Sequence, residues 1–181
     1  MQQRRLRIVA LVSGAVLIAA IAAYGRAHSD SLQKADLAAP IEVAKRVPAP
    51  TLDEPTLSGG RVDLAQMRGH PVVINFFASW CAPCKAEGTA FAAAAHAYKG
   101  RVQFVGVAID DSRSGALSYT HRYGWNWPIV FDPHDHLVEP FGLIGKPTTF
   151  VLDSNGRVAW KLQREISRAE LSTALDDVLN T

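Results

Sequence analysis

Apolar residues along the chain fall into two kinds of run. Val72 to Phe77, entered from Pro71 and left through Ala78-Ser79, and Val102 to Ile109 are unbroken stretches of strand length, as expected of strands covered on both faces. Pro147 to Leu152 and Arg157 to Leu162 are predicted strands joined by the turn Asp153-Ser154-Asn155-Gly156, and Trp127 to Phe131 is a shorter extended piece. Between them the pattern turns helical. Pro83 to Tyr98 is rich in alanine, Ser112 to Tyr123 stops at Gly124, and His136 to Phe141 is a predicted short helix stopped by Gly142. Ser167 is positioned to cap a last helix, with Glu170 completing a capping box and Leu171, Leu175 and Val178 on the buried face. Upstream, Val47 to Pro50 reads as an extended entry, Thr56 to Leu64 as two extended pieces around Gly59-Gly60, and Ala65 to Arg68 as a helical turn. Alternating strands and helices give a three-layer α/β sandwich whose C-terminal strands form an antiparallel pair.

The start of the chain has a different character. Arg4, Arg5 and Arg7 precede Ile8 to Tyr24, seventeen residues without a charge. That length lies at the lower edge of the roughly 17–25 residues that span a bilayer and exceeds the roughly 7–15 of a signal-peptide core. An uncleaved anchor is therefore expected, with cleavage near Ala20-Ile21-Ala22 and secretion as the alternative. The arginines would stay in the cytoplasm and everything after Arg26 would be exported to a periplasm or the cell exterior. The organisation that follows is a basic segment at 1–7, a transmembrane helix at 8–24, a tether at 25–46 and a folded domain at 47–181. The formal charge of +2 over 181 residues indicates no nucleic-acid partner.

The chemistry centres on the only two cysteines, Cys81 and Cys84, placed between the first buried strand and the first long helix. Side chains three apart share a helix face, so the two sulfurs can close a small ring without moving the backbone. Cys81 stands where unpaired helix N–H groups favour a thiolate, which in such motifs lowers the thiol pKa from about 8.5 to roughly 3.5–7.5. Cys81 is thus the expected nucleophile, and Cys84 the resolving thiol that attacks the mixed disulfide and releases a reduced substrate. Pro83 suits a first helical turn. A purely stabilising disulfide is disfavoured because so short a loop removes little unfolded-chain entropy, and a structural zinc site because no second cysteine pair exists.

Two stretches carry a family resemblance. Gly69 to Glu87, with Trp80-Cys81-Ala82-Pro83-Cys84-Lys85 at its centre, resembles the active-site segment of membrane-anchored extracytoplasmic thioredoxins of the TlpA type, and Gly142 to Gly156 resembles that family's cis-proline loop and following hairpin. The similarity covers about residues 48 to 180. It implies a thioredoxin fold with a mixed central sheet in an α/β/α sandwich, an extra N-terminal hairpin, and a strand-helix insertion at roughly 102 to 122. It further implies a thiol-disulfide reductase that needs no cofactor, takes electrons from a membrane-embedded thiol reductase, and acts on an exported disulfide-containing protein, with apocytochrome c the leading candidate. Pro147 would be cis and would shape an edge on which an extended substrate docks. Glu87 stands where relatives carry an acid beneath the active site, while Asn75 occupies the strand position at which cytoplasmic thioredoxins carry a buried Asp. Glu87 is therefore the expected proton carrier for Cys84, against the alternative of an exposed acid near a helix N-terminus.

Two departures bear on mechanism. Many relatives have a helix-kinking proline where this chain has Thr89, preceded by Gly88, so the helix is either straighter or flexible at Gly88. The residue before the cis proline is usually apolar or Thr in relatives, whereas this chain has Lys146, which beside Cys81 would make the disulfide more oxidising and pointing to solvent would do little. Trp80 is expected to be exposed and able to touch substrate, and Trp125 and Trp127 to form either an aromatic surface or core. His134 and His136, in Asp132-Pro133-His134-Asp135-His136, read as a solvated loop. As an alternative they would join Cys81 and Cys84 in a Cu(I) site of an assembly chaperone. A thiol peroxidase is disfavoured, since the Thr-x-x-Cys loop of peroxiredoxins is absent before Cys81. The expected activity is a protein-disulfide reductase, with a disulfide-forming oxidase as the other direction of the same couple.

Overall fold

The computed structural model describes residues 20–24 and 39–181. The basic segment, most of the predicted anchor and residues 25–38 of the predicted tether lie outside the described residues. Residues 20–24 are helical, and among the described residues no helix is long and apolar enough to cross a membrane.

Seven strands follow in order: β1 (Asp53–Pro55), β2 (Arg61–Asp63), β3 (Val72–Phe77), β4 (Gln103–Ile109), β5 (Ile129–Asp132), β6 (Thr148–Leu152) and β7 (Val158–Leu162). Helix α1 (Ala82–Ala97) lies between β3 and β4, α2 (Arg113–Tyr123) between β4 and β5, and α3 (Arg168–Leu179) closes the chain. β1 and β2 pair as a hairpin, and the other five form a sheet in the order β5-β4-β3-β6-β7. β4 runs parallel to β3 and β5, while β6 is antiparallel to β3 and β7. This is a mixed thioredoxin-like sheet with β3 at its centre.

Alternation along the strands divides the core in two. Val73 and Phe77 of β3 with Phe104 and Ala108 of β4 face a cluster that takes in Phe91 of α1, Tyr119 of α2 and Leu171 and Leu175 of α3. Val72, Ile74 and Phe76 with Val105, Val107 and Ile109 face the opposite cluster, closed by Leu52, Val62, Leu137 and Phe141. All three helices thus contribute to one face. The second outer layer is not helical, which corrects the expected α/β/α arrangement: it consists of the β1–β2 hairpin, the 3-10 turn Leu64–Met67 and the turns after β5.

The predicted helix at His136 to Phe141 is one of those turns. The Asp132 carboxylate accepts the amide N–H groups of His136 and Leu137, Asp135 adopts a left-handed backbone, and Pro140 lacks an N–H, so no helical ladder propagates. The predicted cap of α3 is present in full: Ser167 Oγ accepts the Glu170 N–H and Glu170 Oε2 accepts the Ser167 N–H.

Folded structure begins before the expected boundary at Val47. The Ile41 N–H donates to the Ala159 carbonyl, the Val158 N–H to the Val47 carbonyl, and the Ala49 N–H to the Gly156 carbonyl. This segment covers the outer edge of β7 at the end of the sheet where β3 starts, shielding an otherwise open strand. Arg46, only 4% exposed, fastens it by ion pairs to Asp153 (3.4 Å) and Asp177 (3.3 Å).

Candidate active site

β3 ends at the centre of the sheet and delivers Ala78-Ser79-Trp80 to the start of α1. Asp111, just past β4, holds this loop. Its Oδ2 accepts the Ser79 amide (2.6 Å) and its Oδ1 accepts the Ser79 hydroxyl (2.8 Å). Cys81 is the N-cap of α1 rather than part of its first turn, and Pro83 follows inside the helix. Cys81 and Cys84 are joined by a disulfide with their Cα atoms 5.3 Å apart. The Cys84 amide N–H points at Cys81 Sγ, 3.3 Å away, so an unpaired helix donor is aimed at the first sulfur. Cys81 retains 5% exposure and Cys84 none, which makes Cys81 the sulfur that an incoming group meets.

The loop before β6 forms the other wall. The Lys146–Pro147 peptide bond is cis, Pro147 is buried, and the Lys146 carbonyl oxygen lies 3.7 Å from Cys81 Sγ. Trp80, 58% exposed, precedes the sulfur as apolar surface, and Ile144, two residues before Lys146 in this loop, is more exposed still. The Lys146 side chain takes neither expected position. Its ammonium pairs with Asp110 Oδ2 (2.9 Å) and lies 4.6 Å from the centre of the Trp80 ring.

One helical turn beyond Cys84, Glu87 is 1% exposed, so it is not the exposed acid of the alternative reading. Its Oε1 accepts from Asn75 Nδ2 (2.8 Å) and its Oε2 from the Ile166 amide (3.1 Å). Burial raises its pKa to about 8 despite these two donors. Asn75 Nδ2 also donates to Thr149 Oγ1 (3.1 Å), while Asn75 Oδ1 is buried without a partner. A half-turn of that amide would present Oδ1 to a protonated Glu87. Tyr119, from α2, donates its hydroxyl to the Cys84 carbonyl, and burial raises its pKa. These contacts put a titratable carboxyl with a near-neutral pKa below the disulfide, which is what proton exchange with a thiol requires.

Gly88 has a packing reason. A Cβ there would meet the Tyr123 ring at 2.7 Å, and the Gly88 carbonyl accepts the Trp125 indole N–H at 2.9 Å. Trp125 is core, and Trp127, half-buried, stacks on it at 4.7 Å. His136 is engaged by Glu54 (2.9 Å) and Asp132 (2.6 Å), chiefly the Glu54 hydrogen bond raising its pKa, and His134 is exposed. Among the described residues no group of three or more His, Cys, Asp or Glu side chains is placed to hold a metal ion.

Asp110, Asp111 and Tyr119 were not legible as site residues. The one local sign was the pair of acids directly after a buried strand.

Comparison with known proteins agrees with this geometry. The model of the AhpC/TSA family matches residues 45–161. The thiol-disulfide oxidoreductase ResA of Bacillus subtilis is 30% identical over 102 residues, 56% of this chain and 57% of that protein. ResA of Bacillus thuringiensis is 24% identical over 139 residues, 76% of this chain and 79% of that protein. The crystal structure of a DsbF homologue from Corynebacterium diphtheriae superposes with a TM-score of 0.72 at 25% identity, covering 78% of this chain and 93% of the other.

Proposed function

The chain belongs to the AhpC/TSA family and carries the fold and C-x-x-C disulfide of a thiol-disulfide oxidoreductase; from this we propose that it reduces disulfides in exported proteins. The observation that carries this reading is the Cys84 amide aimed at Cys81 Sγ beside the Lys146 carbonyl, a cap that suits a thiolate and a backbone edge that suits an extended peptide.

In the reduced protein, the Cys81 thiolate attacks one sulfur of a substrate disulfide, forming a mixed disulfide and expelling a substrate thiolate. Cys84 loses its proton towards Glu87 and attacks Cys81 Sγ. This expels the second substrate thiolate and leaves the Cys81–Cys84 disulfide. When a donor dithiol later reduces that disulfide, Glu87 returns the proton to Cys84. Trp80, Lys146 and Pro147 line the docking edge. Apocytochrome c is the leading substrate candidate, a membrane-embedded thiol reductase the electron donor, and residues 8–24 the anchor that keeps the domain on the outer side of the cytoplasmic membrane.

The test is the reduction potential of the Cys81–Cys84 couple in the full chain, equilibrated against glutathione and dithiothreitol buffers. A value at or below about −250 mV supports a reductase, and one towards roughly −120 mV means that the protein forms disulfides instead. Rapid peroxide consumption by Cys81 would instead favour a peroxidase.

A further inference from the structure

Asp110 touches both shoulders of the disulfide. It follows β4 in a left-handed backbone conformation (φ 47°), held by its own amide N–H donating to Asp135 Oδ1 (2.8 Å). Its carbonyl accepts the Trp80 indole N–H (2.7 Å) and its carboxylate accepts the Lys146 ammonium (2.9 Å). Trp80 and Lys146 are the residue before Cys81 and the residue whose carbonyl lies against Cys81 Sγ. One acidic residue therefore fixes where the ammonium of Lys146, whose backbone borders the reactive sulfur, resides, in the cleft between its own carboxylate and the Trp80 ring.

We propose that Asp110 is a positioning residue that sets the potential of the Cys81–Cys84 couple, by holding the Lys146 charge paired so that it does not stabilise the Cys81 thiolate. The inference rests on the couple being redox-active. Reduction adds two electrons, breaks the S–S bond, protonates Cys84 and leaves Cys81 as a thiolate to the extent that nearby charge favours it. A free ammonium in this cleft would favour the thiolate, stabilise the reduced form and make the couple more oxidising. Paired with Asp110, the same ammonium contributes little net charge. The other charged groups around the cleft are the carboxylate of Asp135, which accepts the Asp110 amide, and that of Asp111, which is occupied by Ser79. The Lys146 side chain is 17% exposed but that of Asp110 is 58% exposed, so solvent screens the pair and the effect is moderate.

The experiment is a double-mutant cycle read by redox titration against dithiothreitol buffers and by the Cys81 thiol pKa, followed as thiolate absorbance. Asp110→Asn keeps the carbonyl that holds Trp80 and a residue type that tolerates the left-handed backbone. It is expected to shift the exchange equilibrium roughly fivefold towards the reduced form, about 20 mV for a two-electron couple, and to lower the Cys81 pKa. In a Lys146→Met background the same substitution is expected to shift neither. An equal shift in both backgrounds, or none in the wild-type background, overturns the proposal. Lys146→Met alone provides a second arm: because the Asp110 carboxylate left behind is mostly exposed and screened, a shift below about threefold supports the proposal, and any larger shift overturns it. If the wild-type disulfide does not exchange with dithiothreitol at all, the proposed function fails, an outcome distinct from either result.

Discussion

Asn75 of β3 donates to Glu87 of α1 across 2.8 Å, linking the central strand to the active-site helix beneath the disulfide. The carboxyl of the pair lies on the helix, where it keeps a pKa of about 8 because burial outweighs its two hydrogen bonds.

That pKa has a consequence for stability. The folded-state value lies above the ordinary value of 4.5, so between pH 4.5 and about 8 the folded state keeps a proton that the unfolded chain releases. The contribution is full below pH 4.5 and is lost as pH rises towards 8, on the order of a few kcal/mol. Urea unfolding of the oxidised protein at a series of pH values is expected to show this fall, and Glu87→Gln to flatten it. A wild-type profile that rises over the same interval would refute the assignment.

Glu87→Gln is also expected to slow release of reduced substrate about 10²-fold while leaving formation of the mixed disulfide within a few-fold of wild type. Stopped-flow measurement of the two phases with a peptide disulfide separates them. Equal slowing of both would mean that Glu87 matters only for the fold.

Cys84→Ser removes the resolving thiol but keeps the nucleophile. The variant is expected to accumulate a mixed disulfide through Cys81, visible on non-reducing gels and by mass, whereas Cys81→Ser should trap nothing. Trapping by Cys81→Ser at the same rate would reverse the two roles.

Gly88→Ala tests why this helix carries a glycine. An added methyl gains helix propensity of about 1 kcal/mol but enters the Tyr123 ring at 2.7 Å, and overpacking of that kind costs typically 1–3 kcal/mol. A net loss of about 1 kcal/mol in urea unfolding is expected. An increase in stability would show that Tyr123 moves aside freely.

Arg46→Ala strips the cation from the buried Asp153 carboxylate and from Asp177. Breaking a buried pair from one side costs about 3–5 kcal/mol, and the partial exposure of Asp177 places the expected loss near the lower end. Thermal unfolding of the full chain measures it, and a change under about 1 kcal/mol would mean that the two carboxylates are adequately hydrated without Arg46.

Strand order along the chain, the helix after Cys81, the capping box at Ser167 and the disulfide pair were legible because each is a local pattern: a run, a cap, a spacing. The burial of Arg46 was not, since its partners lie more than 100 residues away and an arginine before a proline-rich entry looks like tether. Nor was the non-helical outer layer, because Asp132 captures backbone donors through its side chain, a contact that helical periodicity does not contain. Lys146 was recognised as a departure from the family pattern, yet its effect depends on Asp110, a residue 36 positions away. For Gly88, a straighter helix and a flexible one are both open from the sequence, and neither contains the Tyr123 ring that packs where a side chain would stand.

The strap of residues 41–49 along β7 also lies well away from the reactive sulfurs. It joins the sheet at the Val158 end, whereas the sulfurs lie past the Phe77 end of β3, and the register of β3 with β6 and β7 puts those two ends at opposite poles. A contact made at the strap therefore leaves Trp80 and Cys81 uncovered, so the disulfide end can receive another protein while the Val158 end is engaged.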